Sequence, residues 1–356
     1  MRGLLVPLAA AALLFGCSGT ENPGASCPTA DRPGPALLSG RTYLLSVNGL
    51  SEDWGAYRPT EGAPVPIGGR GLAGRAPNDV DLVGDRLYIV NSLDNTIQEI
   101  DAATGQTVAC IEIGPGANPW AFAVDPVDSS RAWVTTFLGG DVVELDLAAR
   151  RVLRRRKVGP AMEGLLVTPD HIAVTLTGFE GSEGRFGQGE VVVLNRATLE
   201  IVARLPVPTN PQDLARGADG RIHVVCTGNF GNAEPAVWGS VVRIETDWSA
   251  VRDTLTLGGT PARIAVAENG TAFVAAFFGG LLAYDTATFT LYADASAPLE
   301  GSPGYSAVAV SGNRAYAANF DLDAILVLDA TARTPLGDVL TGDGPVALAI
   351  GAPLAP

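Results

Sequence analysis

Histidine is almost missing from this chain: His171 and His223 are the only two in 356 residues. Haem iron usually takes an axial histidine and zinc takes several His or Cys ligands, so neither centre is supplied. Both histidines fall within or at the start of apolar runs and read as packed side chains. There is no Cys-x-x-Cys pair, no phosphate-binding loop and no glycine-rich dinucleotide turn opening a helix. Gly-rich pieces such as residues 178–189 (GFEGSEGRFGQG) lie between strand-like runs and read as loops. No serine has a plausible base near it, which leaves acyl-transfer catalysis without support. Lysine is represented by Lys157 alone, and the formal net charge is −14. A surface this acidic repels phosphate backbones, which argues against nucleic acid as a partner. Helical periodicity is lacking too, so stacked helical repeats are excluded.

What the chain does have is a repeat. Residues 76–114 contain four short apolar runs, DVDLV, RLYIVN, TIQEID and QTVACIEI, each bounded by Gly, Asp or Asn. That is the pattern of a four-stranded antiparallel sheet. Laid along the chain by its opening residue, the module recurs at Pro77, Pro119, Met162, Pro211, Pro261, Gly304 and Pro345, with spacings of 42, 43, 49, 50, 43 and 41. A period near 40 to 45 with four strands per unit predicts a β-propeller. The N-terminal piece RTYLLSVNGLSEDWGAYRPTEGAPVPIGG matches strands two to four of a blade, and the C-terminal GPVALAIGAP matches strand one. Together they predict a seventh blade, closed by the C-terminus as its innermost strand, within one domain over residues 41–356. Closure removes the open edges of an isolated sheet. The third strands end in Asp101, Asp146, Asn195, Glu245, Asp285 and Asp329, which are expected to bond the backbone of the following turn. The basic run Arg150, Arg151, Arg154, Arg155, Arg156 and Lys157 falls on an outer strand, where charge discourages edge pairing; contact with anionic head groups is the alternative.

Residues 1–16 hold one basic residue and an apolar run too short to span a membrane as a mature helix, and so read as a secretory signal. The run closes in Leu14-Phe15-Gly16-Cys17, which resembles the bacterial lipoprotein signal. That resemblance implies lipidation of Cys17, a membrane anchor and, with Ser18 rather than Asp next, an address at the outer membrane of the cell envelope. Phe15 departs from the small residue usual at its place. Removing the signal takes only Arg2 from the charge count, leaving −15. Residues 17–40 are rich in Pro, Gly, Ser and Thr and are expected to form a flexible tether. With Cys17 lipidated, Cys27, Cys110 and Cys226 remain in an oxidising compartment. Cys226 ends a second strand, where neighbouring blades should enclose it, so the expected disulfide is Cys27 to Cys110.

LYIVNSLDNTIQEIDAATGQTVACIEIG, residues 87–114, resembles the YVTN repeat of secreted and surface seven-bladed propellers of bacteria and archaea. The match is good there, fair over 314–332 and degenerate elsewhere. The resemblance implies a fold and a location; members bind diverse things, so it implies no particular ligand.

Propeller geometry puts the loops from strand two to three on the same face as those from strand four to the next blade. The two longest modules gain their length in such loops, 178–189 and 228–239, and the closing blade adds GLSEDWGAY there. Trp54, Phe186, Phe230 and Trp238 are expected at this rim, with Phe137, Phe277 and Phe320 at strand ends. Positions just after the repeating residue, Asn78, Asp79, Trp120, Glu163, Gln212, Asp213, Arg263 and Tyr305, are expected near the axis. Asp213, Arg263 and Trp120 would orient a polar or sugar-like ligand while Trp238 and Phe230 cover it. Asp213 with Arg263 also reads as a plain ion pair between blades. The function expected is a binding or scaffolding module for a small molecule, a glycan or an envelope protein. The alternatives are a lactonase-like or other hydrolase using a carboxylate-bound metal, and a purely structural surface protein. No cofactor is expected, although Asp321, Asp323 and Asp94 invite calcium.

Overall fold

The computed structural model describes residues 27–28, 32–181, 184–231 and 234–354; the signal segment and Cys17 lie outside them. Among the described residues the strands form seven four-stranded antiparallel sheets and one two-stranded hairpin. The protein is a seven-bladed β-propeller. Blade 1 is the composite: Pro345–Gly351 is innermost, followed outward by Tyr43–Asn48, Asp53–Arg58 and Val65–Leu72. Blades 2 to 7 follow in chain order, opening at Pro77, Pro119, Met162, Pro211, Pro261 and Tyr305.

Burial follows radial position. Second strands such as Thr271–Ala276 are buried at every residue because blades cover both of their faces, whereas the outer strand Arg151–Lys157 is buried at none. That is why the second-strand runs are continuously apolar rather than alternating. Between blades the apolar faces form separate clusters, for example Val90, Ile97, Phe122 and Val134 between blades 2 and 3.

The polar ends of the third strands do what short side chains there can do. Asp101, Asp146, Asn195, Asp285 and Asp329 accept backbone N–H groups of their turns at 2.9, 2.8, 2.9, 2.7 and 2.8 Å. Glu245 is longer and differs: its carboxylate takes Arg252 at 2.6 Å and Arg221 at 3.4 Å. The basic run rivets blades together. Arg150 grips Glu99 of blade 2 through bonds of 2.7 and 3.1 Å, Arg155 donates to Ile113 O, and Arg154 reaches Ala197 O beside blade 4.

The stretch expected to be a free tether is docked over its described part beyond Arg32. Gly34 N donates to Gly105 O, Leu37 N to Ala102 O, and Leu37 is 2% exposed within the core between blades 1 and 2. Trp54 explains the docking. Rather than standing at the rim, it is buried against Gly34 and Gly71, where a Cβ on Gly34 would fall 2.1 Å from its ring. Cys27 and Cys110 are joined in a disulfide, and Cys226 is free and buried.

Both histidines pack. His171 faces Trp248 edge-on, and His223 is enclosed, with Nδ1 2.9 Å from Tyr284 Oη and Nε2 3.2 Å from Asp219.

Candidate functional site

Each blade presents its innermost strand to the axis. The residue before that strand takes a left-handed backbone at Ala76 (φ 49°), Asn118 (51°), Ala161 (55°), Asn210 (59°) and Gly344 (67°). Gly304 (φ 96°) belongs to the same column, so Tyr305, not Gly304, is the counterpart of the repeating Pro in blade 7. Just inside the strand the register slips, as between Pro77 and Asp79, Pro211 and Asp213, and Tyr305 and Ala307. This bulge re-aims the next side chains.

The outcome is an axial cavity of about 790 Å³, counting its open mouth, at the end carrying the loops from strand two to three. The residue just after each opening residue lines it, one per blade: Asn78, Trp120, Glu163, Gln212, Ala262, Ser306 and Val346. Arg263, Tyr305, Phe230 and Phe277 complete the wall, with Thr227 and Thr260. The cavity thus gathers Asn78, Trp120, Glu163, Gln212, Arg263, Tyr305 and Phe230 from the expected set, but not Asp79, Asp213 or Trp238. Ser306 was hidden by the one-residue offset at Gly304; aligning the left-handed glycine with Asn118 and Asn210 would have exposed it.

Asp79 and Asp213 are locks between blades. Asp79 accepts Val80 N and, across the interface, Phe122 N, both at 2.9 Å. Asp213 accepts Leu214 N at 2.8 Å and Ile264 N at 3.0 Å. The expected ion pair of Asp213 with Arg263 does not form among the described residues, because the bulge turns the carboxylate toward the amides of blade 6. Hydroxyls add similar ties: Thr227 and Ser306 each bond the carbonyl opening the next blade, at Pro261 and Pro345, both at 2.6 Å.

Four polar groups of the wall have no hydrogen-bond partner among the described residues: the Glu163 carboxyl, the Gln212 amide, the Arg263 guanidinium and Trp120 Nε1. Asn78 is half engaged, its amide donating to Ser92 Oγ at 2.6 Å. Glu163 is 5% exposed, and its main chain is fixed by Thr135 Oγ1, which donates to Glu163 O at 2.8 Å. Next to it, Gly164 lets blade 5 approach; a Cβ there would lie 2.8 Å from Gln212 O.

Burial dominates the electrostatics. It pushes Glu163 up to about 8, against the opposing pull of Arg263, so this carboxyl is largely protonated at neutral pH. Burial likewise raises Asp79 to about 6 and Asp213 upward, again with Arg263 pulling the other way. Asp81, two residues further along the strand, is likewise raised to about 6 by burial. One guanidinium on blade 6 is therefore felt by carboxyls on blades 2, 4 and 5.

Aromatic rings run from the cavity to the rim. Trp120 packs on Phe137 at 5.2 Å, Phe137 on Phe179 at 6.4 Å, Phe179 on Phe186 at 5.0 Å and Phe186 on Phe230 at 5.7 Å. Phe179 and Phe186 face each other across the small hairpin Phe179–Glu180 and Arg185–Phe186. Trp238 stays 50% exposed on the rim, close against Gly231, so it borders the mouth without lining it.

Among the described residues no three His, Cys, Asp or Glu side chains converge as a cation site. Two of the three carboxylates suggested for calcium are used elsewhere. Asp94 holds Arg75 through both oxygens, at 2.6 and 2.7 Å, and Asp323 accepts Gly344 N at 2.9 Å.

No protein-family model matches the chain, and no curated protein matches it. Solved structures do. A functionally unknown protein from Desulfotomaculum acetoxidans superposes with a TM-score of 0.65 at 14% identity, covering 87% of this chain and 99% of that one. Hydrazine synthase from Kuenenia stuttgartiensis gives 0.61 at 15% identity, covering 76% and 88%. AztD from Citrobacter koseri in its apo form gives 0.52 at 15% identity, covering 91% and 90%. At these identities the likeness establishes one thing about this chain, its β-propeller fold.

Proposed function

We propose that this protein is a binding module of the bacterial cell envelope, anchored through a lipid on Cys17, which takes a small molecule or a glycan end into its axial cavity. The observation that carries the binding role is the set of polar side chains in an aromatic-walled recess, Glu163, Gln212 and Arg263, which make no hydrogen bond to other described residues, beside Trp120 Nε1, which is buried without a partner. A buried donor such as Trp120 Nε1 ordinarily finds a partner, and concave sites with a few polar groups among aromatics are the usual solution for small ligands. A purely structural propeller would have little use for so varied a ring. Metal-assisted hydrolysis lacks a ligand set among the described residues. Membership of the YVTN-repeat propellers agrees with the residue pattern at 87–114. The address draws on Leu14-Phe15-Gly16-Cys17 and on the Cys27–Cys110 disulfide, a bond that persists in oxidising compartments.

The test of the site is a blocking substitution. Ala262 lines the cavity, and Ala262→Trp fills it. Purified wild type incubated with an envelope small-molecule and glycan extract should enrich a compound that the variant, with an unchanged melting curve, does not. Equal enrichment by both moves binding away from the axis. The test of the address is Cys17→Ala, which should shift the protein from the membrane to the soluble fraction; a wild type already wholly soluble defeats the anchor.

A further inference from the structure

The unpaired groups in the cavity also restrict what can sit there. We propose that the ligand is a neutral pyranose, free or at the end of a glycan, with hydroxyls on Arg263, Glu163 and Gln212 and a ring face on Trp120. This rests on the axial cavity being the binding site.

The hydrogen-bonding inventory comes first. Arg263 offers donors only, the Gln212 amide offers both kinds, and Asn78 keeps an acceptor because its amide is committed to Ser92. Glu163, largely protonated, both donates and accepts. Hydroxyl groups satisfy all of these, since each can donate and accept, and a vicinal pair suits the fork of a guanidinium.

Charge narrows the choice. Among the described residues Arg263 is the only cationic side chain of the lining, and the carboxyls of Asp79, Glu163 and Asp213 all feel it. An organic anion pairing with Arg263 would enter the field of the two lock carboxylates. An organic cation would meet Arg263 itself. A neutral ring carrying hydroxyls meets neither penalty.

The walls supply the last requirement. Trp120 is backed by Phe137 at 5.2 Å, which fixes its ring, and Phe230 stands in the same wall, steadied by Phe186 at 5.7 Å. Rigid aromatic faces are suited to the C–H face of a sugar ring, because the ring quadrupole is negative there.

The experiment titrates the purified protein with glucose, galactose, mannose and N-acetylglucosamine, and with glucuronate and glucosamine as charged counterparts, following tryptophan fluorescence. A glycan array runs in parallel. At least one neutral pyranose should bind saturably, with its charged counterparts about tenfold or more weaker, since a site built for one hydrogen-bonding pattern rejects another. Binding of free sugars marks a soluble ligand; binding on the array alone marks a glycan end. Arg263→Met should weaken binding about tenfold, and Glu163→Ala, which removes both a donor and an acceptor, should weaken it as well. If Arg263→Met lowers the melting temperature, Gln212→Ala, in the neighbouring blade, serves in its place. Failure of every neutral sugar in both formats overturns the proposal, as does a charged counterpart that binds equally well. A charged or purely aromatic ligand excluded by Ala262→Trp would end the sugar assignment and leave the axial site standing. A sugar bound equally by Ala262→Trp would remove the site itself.

Discussion

The carboxylate of Asp213 in blade 5 holds the backbone N–H of Ile264 in blade 6 at 3.0 Å. Asp79 repeats the arrangement on Phe122, one blade boundary joined by one acid in each case. Both acids stand beside the cavity without lining it, so their first duty is to the ring of blades.

Asp213→Ala should therefore destabilise the fold instead of merely weakening a ligand. It leaves the amides of Leu214 and Ile264 without their acceptor, at a cost of about 1–3 kcal/mol for a buried unsatisfied group. Chemical denaturation checks this. An unchanged midpoint together with lost binding would return Asp213 to the ligand.

Glu163 predicts a pH dependence. Its pKa is raised from 4.5 in the unfolded chain to about 8 in the fold, so the native state binds more protons. The stability it contributes is fully present below pH 4.5 and is lost as pH rises through about 8. Glu163→Gln cannot ionise. The variant should lose less stability than wild type between pH 5 and pH 9, in melting curves measured at both. Parallel losses would show that Glu163 ionises freely.

Removing residues 345–354 should abolish soluble expression. The deletion strips the innermost strand from Tyr43–Asn48, frees the Ser306 hydroxyl from Pro345 O and breaks the tie of Gly40 N to Pro353 O. The inner edge of Tyr43–Asn48 is left unpaired. Soluble truncated protein with a wild-type melting curve would contradict the closure.

Reduction of the Cys27–Cys110 disulfide, or Cys27→Ser, should lower stability by about 2–4 kcal/mol, as expected for a cross-link across a long loop, here 83 residues. Residues 32–37 keep their hydrogen bonds and the Trp54 contact, so they should stay docked. Hydrogen exchange at Gly34 and Leu37 separates the two effects; full loss of protection there would make the disulfide, not Trp54, the anchor of the segment.

Blade number, strand register and ring closure were legible in the sequence because each is a property of period. A strand buried on both faces must be apolar throughout, as RLYIVN and TAFVAA are, and the partial modules at the two ends sum to one blade. Short acids ending third strands announced their turns for the same local reason, and Glu245 departed only because its side chain is longer. What each axial residue does was decided by tertiary structure. In blades 2 and 5 the bulge after the opening residue aims one position into the cavity and the next at the neighbouring blade, so that Asn78 and Gln212 line the wall while Asp79 and Asp213 became locks; in blade 6 the second position, Arg263, lines the wall instead. No periodicity separates adjacent positions of equal polarity. Trp54 shows the same limit from the other side: its loop has the length of a rim loop, but a docked segment with glycine at position 34 provides a place to bury the ring. Burial of that kind depends on two stretches distant in the chain meeting, and only the folded ring brings them together.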